Sequence, residues 1–451
     1  MKNFKLIALL GISIFVLSAC TANPGATQGA ATVTAPTPTQ IEVFVPAEDF
    51  CVTCHTNKQM LIDNASANLD QSQVESVFVG LTNKTESMEA WEKVFVDPTF
   101  FESEHGQASC KTCHGGDSTS QDKETAHINI NKKPDQNPQK TCGNCHQDIV
   151  VSFANSLHST QNGFYQAMYT RSIPENHPAL EEAFTENCAS CHTTCGDCHI
   201  SQPNAIGGGL LNGHNVVKTP PMTQTCTACH GSRVGNEFLG KNDGLVADIH
   251  SSQFKMECTA CHTGQSLHDS SGANHRYEGE QSPACIDCHQ KFGRVNDVVP
   301  EHQIHQDKLS CQTCHTIAYT SCDGCHLSNN ENTGQSSFTM ADTTTTFYIG
   351  KNVRQSADRP YEYTVVRHIP VTPDTFAAYG DNLLPNFDLL PTWAYATPHN
   401  IQRMTPQSRT CNSCHGNAEI FLTADKVKPE ELEANKNVIV DQIPEKVPTD
   451  K

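Results

Sequence analysis

Residues 188–199 read CASCHTTCGDCH, two copies of Cys-x-x-Cys-His with only Thr193 and Thr194 between them. Working outward, the same pattern recurs at Cys51, Cys54 and His55; Cys110, Cys113 and His114; Cys142, Cys145 and His146; Cys188, Cys191 and His192; and Cys195, Cys198 and His199. It continues at Cys226, Cys229 and His230; Cys258, Cys261 and His262; Cys285, Cys288 and His289; Cys311, Cys314 and His315; Cys322, Cys325 and His326; and Cys411, Cys414 and His415. These eleven motifs use 22 of the 23 cysteines, and the remaining one is Cys20. Successive motifs start 59, 32, 46, 7, 31, 32, 27, 26, 11 and 89 residues apart, so no fixed period points to a regular solenoid. The recurrent spacing near 30 predicts one site per short helical unit.

The pattern has a chemical reading. Residues i, i+3 and i+4 share one face of a helical turn, so two sulfurs and an imidazole can meet one flat group together. Two thiols at that spacing can form thioethers to the two vinyl groups of a haem, and the histidine can ligate its iron. Zinc is also clipped by Cys-x-x-Cys pairs, and disulfides also use them, but neither requires a histidine after every pair. With His at about 5% of residues, eleven trailing histidines by accident has a probability of order 10^-14. In its motifs the chain resembles exported multihaem c-type cytochromes over residues 51–415. The resemblance implies eleven covalently attached haems c. The doublet region CASCHTTCGDCHISQPNAIGGGLLNGH, with ACHGSRVGNEF after it, is similar to large exported cytochromes of respiratory bacteria.

The 451 residues are 37% hydrophobic, a figure that includes every cysteine, so Leu, Ile, Val and Phe are thin for a core of this size. Haems would supply the missing apolar interior, and a haem-free chain is expected to be largely unfolded. The expected fold is short α-helices and irregular coil wrapped around a haem chain, low in regular secondary structure, with a small β-hairpin region near 340–371. TTTTFYIG (343–350) and YEYTVVRHIPV (361–371) carry the strand signal, while SMEAWEKVF (87–95) and NHPALEEAF (176–184) have helical spacing.

At the N-terminus, Lys2 and Lys5 precede an apolar run, Leu6–Leu17, that is short for a membrane span. The sequence Leu17-Ser18-Ala19-Cys20 resembles the lipobox of bacterial lipoproteins, in which the leader is cut before the cysteine and the cysteine is lipidated. Residues 1–19 thus read as a leader and 20–48 as a flexible Thr/Ala/Pro/Gly tether, of which roughly 25 residues span about 25–30 Å. Residues 49–326 form a haem-binding core with ten motifs, 327–425 a partly β segment with the eleventh, and 426–451 a charged surface tail. Loss of Lys2 and Lys5 with the leader takes the formal charge from −19 to −21. That balance excludes nucleic acid and suits solubility and docking on cationic partners. The expected place is outside the cytoplasmic membrane, lipid-anchored on the periplasmic face or the cell surface, with other redox proteins as partners and room for self-association.

What fills the second axial position of each iron decides between electron transfer and catalysis. Twelve histidines lie outside the motifs. The resemblance marks His105, His158, His214, His250, His305, His368 and His399 as second ligands, with His302 competing with His305. His127, His177, His268 and His275 are equally suited to surface or hydrogen-bonded roles, and the mature chain's methionines read as gap-filling residues. The expected function is electron relay through low-potential, mostly bis-His haems. The alternative is a multihaem reductase or oxidase of the nitrite, hydroxylamine or tetrathionate type, with one open iron and an arginine such as Arg171, Arg233, Arg276 or Arg367 beside it. Some of those families replace a motif histidine by lysine; all eleven motifs here end in His.

Overall fold

The computed structural model describes residues 49–64, 89–188, 193–203, 206–268, 271–273, 275, 278, 283–292, 297–322, 325–329, 336–340 and 343–448, with 325, 326, 328, 329 and 336–340 through their backbone alone. The leader, the lipobox cysteine and the tether lie outside them. No described helix is long and apolar enough to cross a membrane.

Short helices carry most of the regular structure, as expected; the longest, Gly143–Phe153 and His177–Asn187, have 11 residues each. The second realises the spacing in 176–184: Pro178 sits in its first turn, and Leu180, Ala183 and Phe184 form the buried stripe. The helical expectation for 87–95 fails. Residues 90–94 form turns, with Lys58 Nζ 4.2 Å from the Trp91 ring centre and Trp91 packed edge-on against Phe95. Asp97-Pro98 follows at once, and a residue before proline is driven out of the α region.

The β region starts earlier than the sequence suggested. Strands β1 (Tyr319–Cys322), β2 (Cys325–Asn329), β3 (Ser336–Met340) and β4 (Thr343–Thr346) keep one antiparallel register from Tyr319↔Thr346 and Cys322↔Thr343 through Cys325↔Met340 to Asn329↔Ser336. Of motif 322–326, Cys322 therefore ends one strand and Cys325 and His326 begin the next, rather than lying on a helical turn. Tyr319 anchors the first of these strands: fully buried, its hydroxyl donates to the Val366 carbonyl and accepts the Tyr348 N–H at 3.2 Å. The hairpin expected near 340–371 appears as β5 (Tyr348–Lys351) and β6 (Tyr363–His368), extended by β7 (Trp393–Tyr395) into an antiparallel sheet of order β5-β6-β7.

Apolar packing concentrates around this sheet. Val366, Trp393, Leu422, Val427, Val438 and Ile439 form one cluster, and Ile349, Phe421 and Val440 another. Residues 426–451, expected as a surface tail, thus contribute core. The run Val438-Ile439-Val440 explains the correction, since each such side chain adds about 1.5–3 kcal/mol when buried. Val440 N–H bonds the Leu422 carbonyl and Lys351 N–H the Val438 carbonyl, both at 2.8 Å. A further cluster joins Leu180, Ala183 and Phe184 to Leu327, Phe376, Leu383, Leu384 and Phe387. Between residues 49 and 300, apart from the helices feeding that cluster, buried apolar side chains are scattered ones such as Val52, Phe100, Val150 and Leu211.

One buried ion pair ties the two textures together. Arg367 on β6 pairs with Glu237, which also accepts the His399 N–H at 2.9 Å, while the guanidinium lies 4.8 Å from the Tyr319 ring centre. Breaking such a pair leaves a buried charge uncompensated, so Arg367→Ala should destabilise the protein by about 3–5 kcal/mol in denaturant titration. In haem-free chain made without export, limited proteolysis should cut freely across 49–300 and leave protected fragments from 310–448.

Candidate functional site

The motifs fold locally for reasons visible in their flanks. Helices run Phe50–His55, Cys110–His114, Cys195–His199 and Cys311–His315, and single helical turns carry Cys285–Cys288, Cys258–Ala260 and Cys411–Ser413. Ser109, Thr194 and Ser310 precede the first cysteine at the N-cap, and Asp49 caps two residues ahead of Cys51, accepting its N–H at 2.9 Å. Motif 226–230 lies in a helical run broken by π turns at Met222–Cys226 and Gly231–Gly235, a device frequent at functional sites. Among the described residues every cysteine is unbridged.

The decisive geometry lies in the histidines. Nine motif imidazoles each face one imidazole from elsewhere in the chain. The ring centres are 6.1 Å apart for His55 and His127, 6.0 Å for His146 and His105, and 6.0 Å for His114 and His214. They are 6.2 Å apart for His230 and His158, 6.2 Å for His199 and His268, and 6.0 Å for His289 and His250. The remaining separations are 6.4 Å for His262 and His399, 6.1 Å for His315 and His302, and 6.3 Å for His415 and His305. Among the described residues no three His, Cys, Asp or Glu side chains converge as a bare zinc ion would need.

Nine of these eighteen rings are aimed through their other nitrogen. Nδ1 of His55, His114, His199, His315 and His415 donates to the carbonyls of Val94, Asn131, Val217, Gln402 and Glu445 at 2.7–3.1 Å. On the opposite side, His127 and His305 donate to the carbonyl four residues back, at 2.7 and 2.8 Å, while His250 and His302 donate to Asp248 and Asp297 at 2.9 and 2.7 Å. In these nine rings Nε2 is left as the ligating nitrogen, the second-shell arrangement typical of metal-binding histidine. Burial, with neighbouring imidazoles adding to it, lowers the pKa of His158, His214 and His399 to about 4, so they stand neutral at pH 7, the form that ligates a metal.

His214, its Nδ1 buried and unbonded, is placed by its backbone instead. Asn212, Gly213 and His214 are consecutive left-handed residues with φ of 46°, 66° and 80°. At Gly213 an added Cβ would sit 2.5 Å from the Asp97 Cβ, and Asp97 N–H bonds the Gly213 carbonyl at 2.8 Å, so only glycine fits there.

The separations fit a specific occupant. Two nitrogens at about 2.0–2.1 Å from one iron, each about 1.1 Å from its ring centre, ask for centres about 6.3 Å apart. Apolar side chains border the pairs: Ile128, Phe254, Phe292 and Ile304, each within four residues of a paired histidine, are 59%, 66%, 46% and 67% exposed. A haem fits both the donor set and this border.

Compared with family models, curated proteins and solved structures, the chain matches none.

Of the histidines marked from the sequence as second ligands, His105, His158, His214, His250, His305 and His399 lie opposite motif histidines. His368 does not. Buried at the end of β6, it donates from Nδ1 to the Cys322 carbonyl and bonds Glu431 through Nε2, both at 2.8 Å. His302 and His305 do not compete, since they serve different motifs. Sequence reasoning did not single out His127, His268 or His302; their place opposite a motif histidine is set by the tertiary fold, as for His268 and His199, 69 residues apart. His177 stacks on Tyr169 at 3.8 Å, and His275 pairs with Glu278 at 2.9 Å. His192 and the side chain of His326 lie outside the described residues, as does Arg276. Arg171 is a structural residue, buried and bonded to the carbonyls of Ala167, Leu390 and Pro391.

Asp248 is the most heavily used aiming group: it accepts from the N–H and Nδ1 of His250 and from the Ile401 N–H at 2.8–2.9 Å. Asp248→Ala should lower the unfolding free energy by about 1.5–3 kcal/mol, read as a shifted denaturant midpoint.

Proposed function

We propose that this protein is a multihaem c-type cytochrome that relays electrons outside the cytoplasmic membrane, held there by a lipid on Cys20. One observation carries the reading: nine motif histidines each have a second imidazole at the separation one iron requires. The eleven cysteine pairs would hold eleven haems c, whose iron supplies one-electron chemistry.

The polypeptide's own work is to bind, aim and insulate. Motif cysteines fix one edge of each group, backbone carbonyls and Asp248 or Asp297 set the ring orientation, and the bordering apolar side chains keep water off the faces. An iron held between two such imidazoles would have no position left for substrate, which would favour electron transfer. The alternative, a reductase or oxidase, would need an iron with an open position. The strongly acidic surface favours donors and acceptors with cationic faces.

Mass spectrometry of purified mature protein should find the polypeptide plus eleven haems; bare thiols or zinc would overturn the reading. In electron paramagnetic resonance of the oxidised protein, low-spin signals should dominate. His305→Ala should turn one low-spin iron high-spin with no loss of haem. If that spectrum stays unchanged, His305 is no ligand.

A further inference from the structure

Resting on the haem reading above, we infer that Asp248 and Asp297 make motifs 285–289 and 311–315 an adjacent low-potential pair, whose irons are harder to reduce than those of motifs 51–55 and 411–415. The two aspartates are positioning residues: they act on the iron through His250 and His302.

The groups that receive the Nδ1 protons differ in charge. At motif 51–55 both imidazoles donate to neutral backbone carbonyls, His55 to that of Val94 at 3.0 Å and His127 to that of Lys123 at 2.7 Å. Motif 411–415 is built alike, with His415 on the Glu445 carbonyl at 2.9 Å and His305 on the Glu301 carbonyl at 2.8 Å. At motif 311–315 one acceptor changes. His315 donates to the Gln402 carbonyl at 3.1 Å, but His302 donates to the Asp297 carboxylate at 2.7 Å. His250, opposite His289, likewise donates to the Asp248 carboxylate at 2.9 Å.

Both carboxylates are anchored independently of the rings they serve. Asp248 Oδ2 accepts the Ile401 N–H at 2.8 Å while Oδ1 takes His250, and Asp297 Oδ1 accepts the Val299 N–H at 2.9 Å while Oδ2 takes His302. Their side chains are only 4% and 1% exposed, so water screens the contacts little. A carboxylate draws the Nδ1 proton more strongly than a carbonyl does, which sends electron density to Nε2 and makes the imidazole a stronger donor to a metal. Stronger donation, with negative charge fixed behind the ring, favours iron(III) over iron(II). The one-electron potential falls.

The two sites are neighbours. The Phe292 ring packs 5.8 Å from His289 and 5.6 Å from His302, so one aromatic side chain joins the motif histidine of one site to the second imidazole of the other. Residues 401 and 402 make another tie. Ile401 N–H holds Asp248, Ile249 N–H bonds the Ile401 carbonyl at 2.9 Å, and the next carbonyl along, that of Gln402, receives His315. In a partly reduced molecule, electrons therefore rest on sites such as 51–55 and 411–415 and vacate this pair.

The test is stepwise electrochemical reduction of the haem-loaded full mature chain, with low-spin iron(III) followed by electron paramagnetic resonance. His302→Ala removes one low-spin component and His305→Ala another, which places the irons of motifs 311–315 and 411–415 on the potential scale. The component lost in His302→Ala should be the less readily reduced by about tenfold in equilibrium constant, about 59 mV for one electron. Equal potentials or the reverse order overturn the pair. Asp297→Asn and Asp248→Asn keep an acceptor for Nδ1 and remove the charge. With the haem count unchanged by mass spectrometry and the low-spin signal intact, each should make one iron more readily reduced by a similar factor. A merely structural role would leave that iron's potential where it was, and this result overturns the inference. Should an Asn variant lose haem or low-spin signal, the order of the two Ala variants decides. Haem present with no such differences overturns the pair alone, whereas an unmodified protein without haem overturns the relay on which it rests.

Discussion

Neutral imidazoles gain little from facing each other. Where both outer nitrogens are already bonded, as in His55 with His127, His315 with His302 and His415 with His305, two rings with centres near 6 Å apart direct lone pairs into a shared volume, which costs free energy unless something there accepts them. The chain brings a second imidazole to such a separation nine times, spanning only 6.0–6.4 Å. Most of residues 49–415 can be understood as scaffolding for that constraint. Helices stop after one or two turns because each need only present two sulfurs and a ring, or aim one ring from the other side.

The same constraint explains where the apolar core went. A conventional core exists around β5-β6-β7 and the 421–440 segment, where Val365, Val366, Leu422, Val438 and Val440 are almost wholly enclosed. Elsewhere the chain has few large aliphatic side chains to bury, and several stand exposed beside the histidine pairs. On the proposed reading the flat apolar groups complete the interior, so cofactor attachment and folding are coupled. The Glu237–Arg367 pair, enclosed between the helical run of motif 226–230 and β6, holds these two kinds of interior in one register.

Spacing along the chain limits what each unit can contain. About 30 residues between motifs allow a turn, one aiming histidine and a return, and little else. Where two motifs start only 7 or 11 residues apart, no room remains for such a unit. The second motif of the later doublet begins at the end of a β-strand, at Cys322. There the β-branched and aromatic residues of 319–322 and 343–346, together with the buried Tyr319, outweigh the helical preference that the other motifs follow.

The sequence alone determined the motif pattern on which the proposed chemistry rests, eleven pairs of sulfurs each with a histidine one residue later, because spacing along a helical turn is a local property. It also determined the short-helix texture and the β5-β6 hairpin, whose signals are local too. Only the tertiary structure decided which histidine faces which motif. His127, His268 and His302 look no different in sequence from His177 or His275, and His368, which looked like a ligand, spends both nitrogens on Glu431 and the Cys322 carbonyl. It also decided that Val438-Ile439-Val440 turns a charged tail into core. Those outcomes depend on residues tens to hundreds of positions away, and burial there outweighs what neighbouring residues prefer.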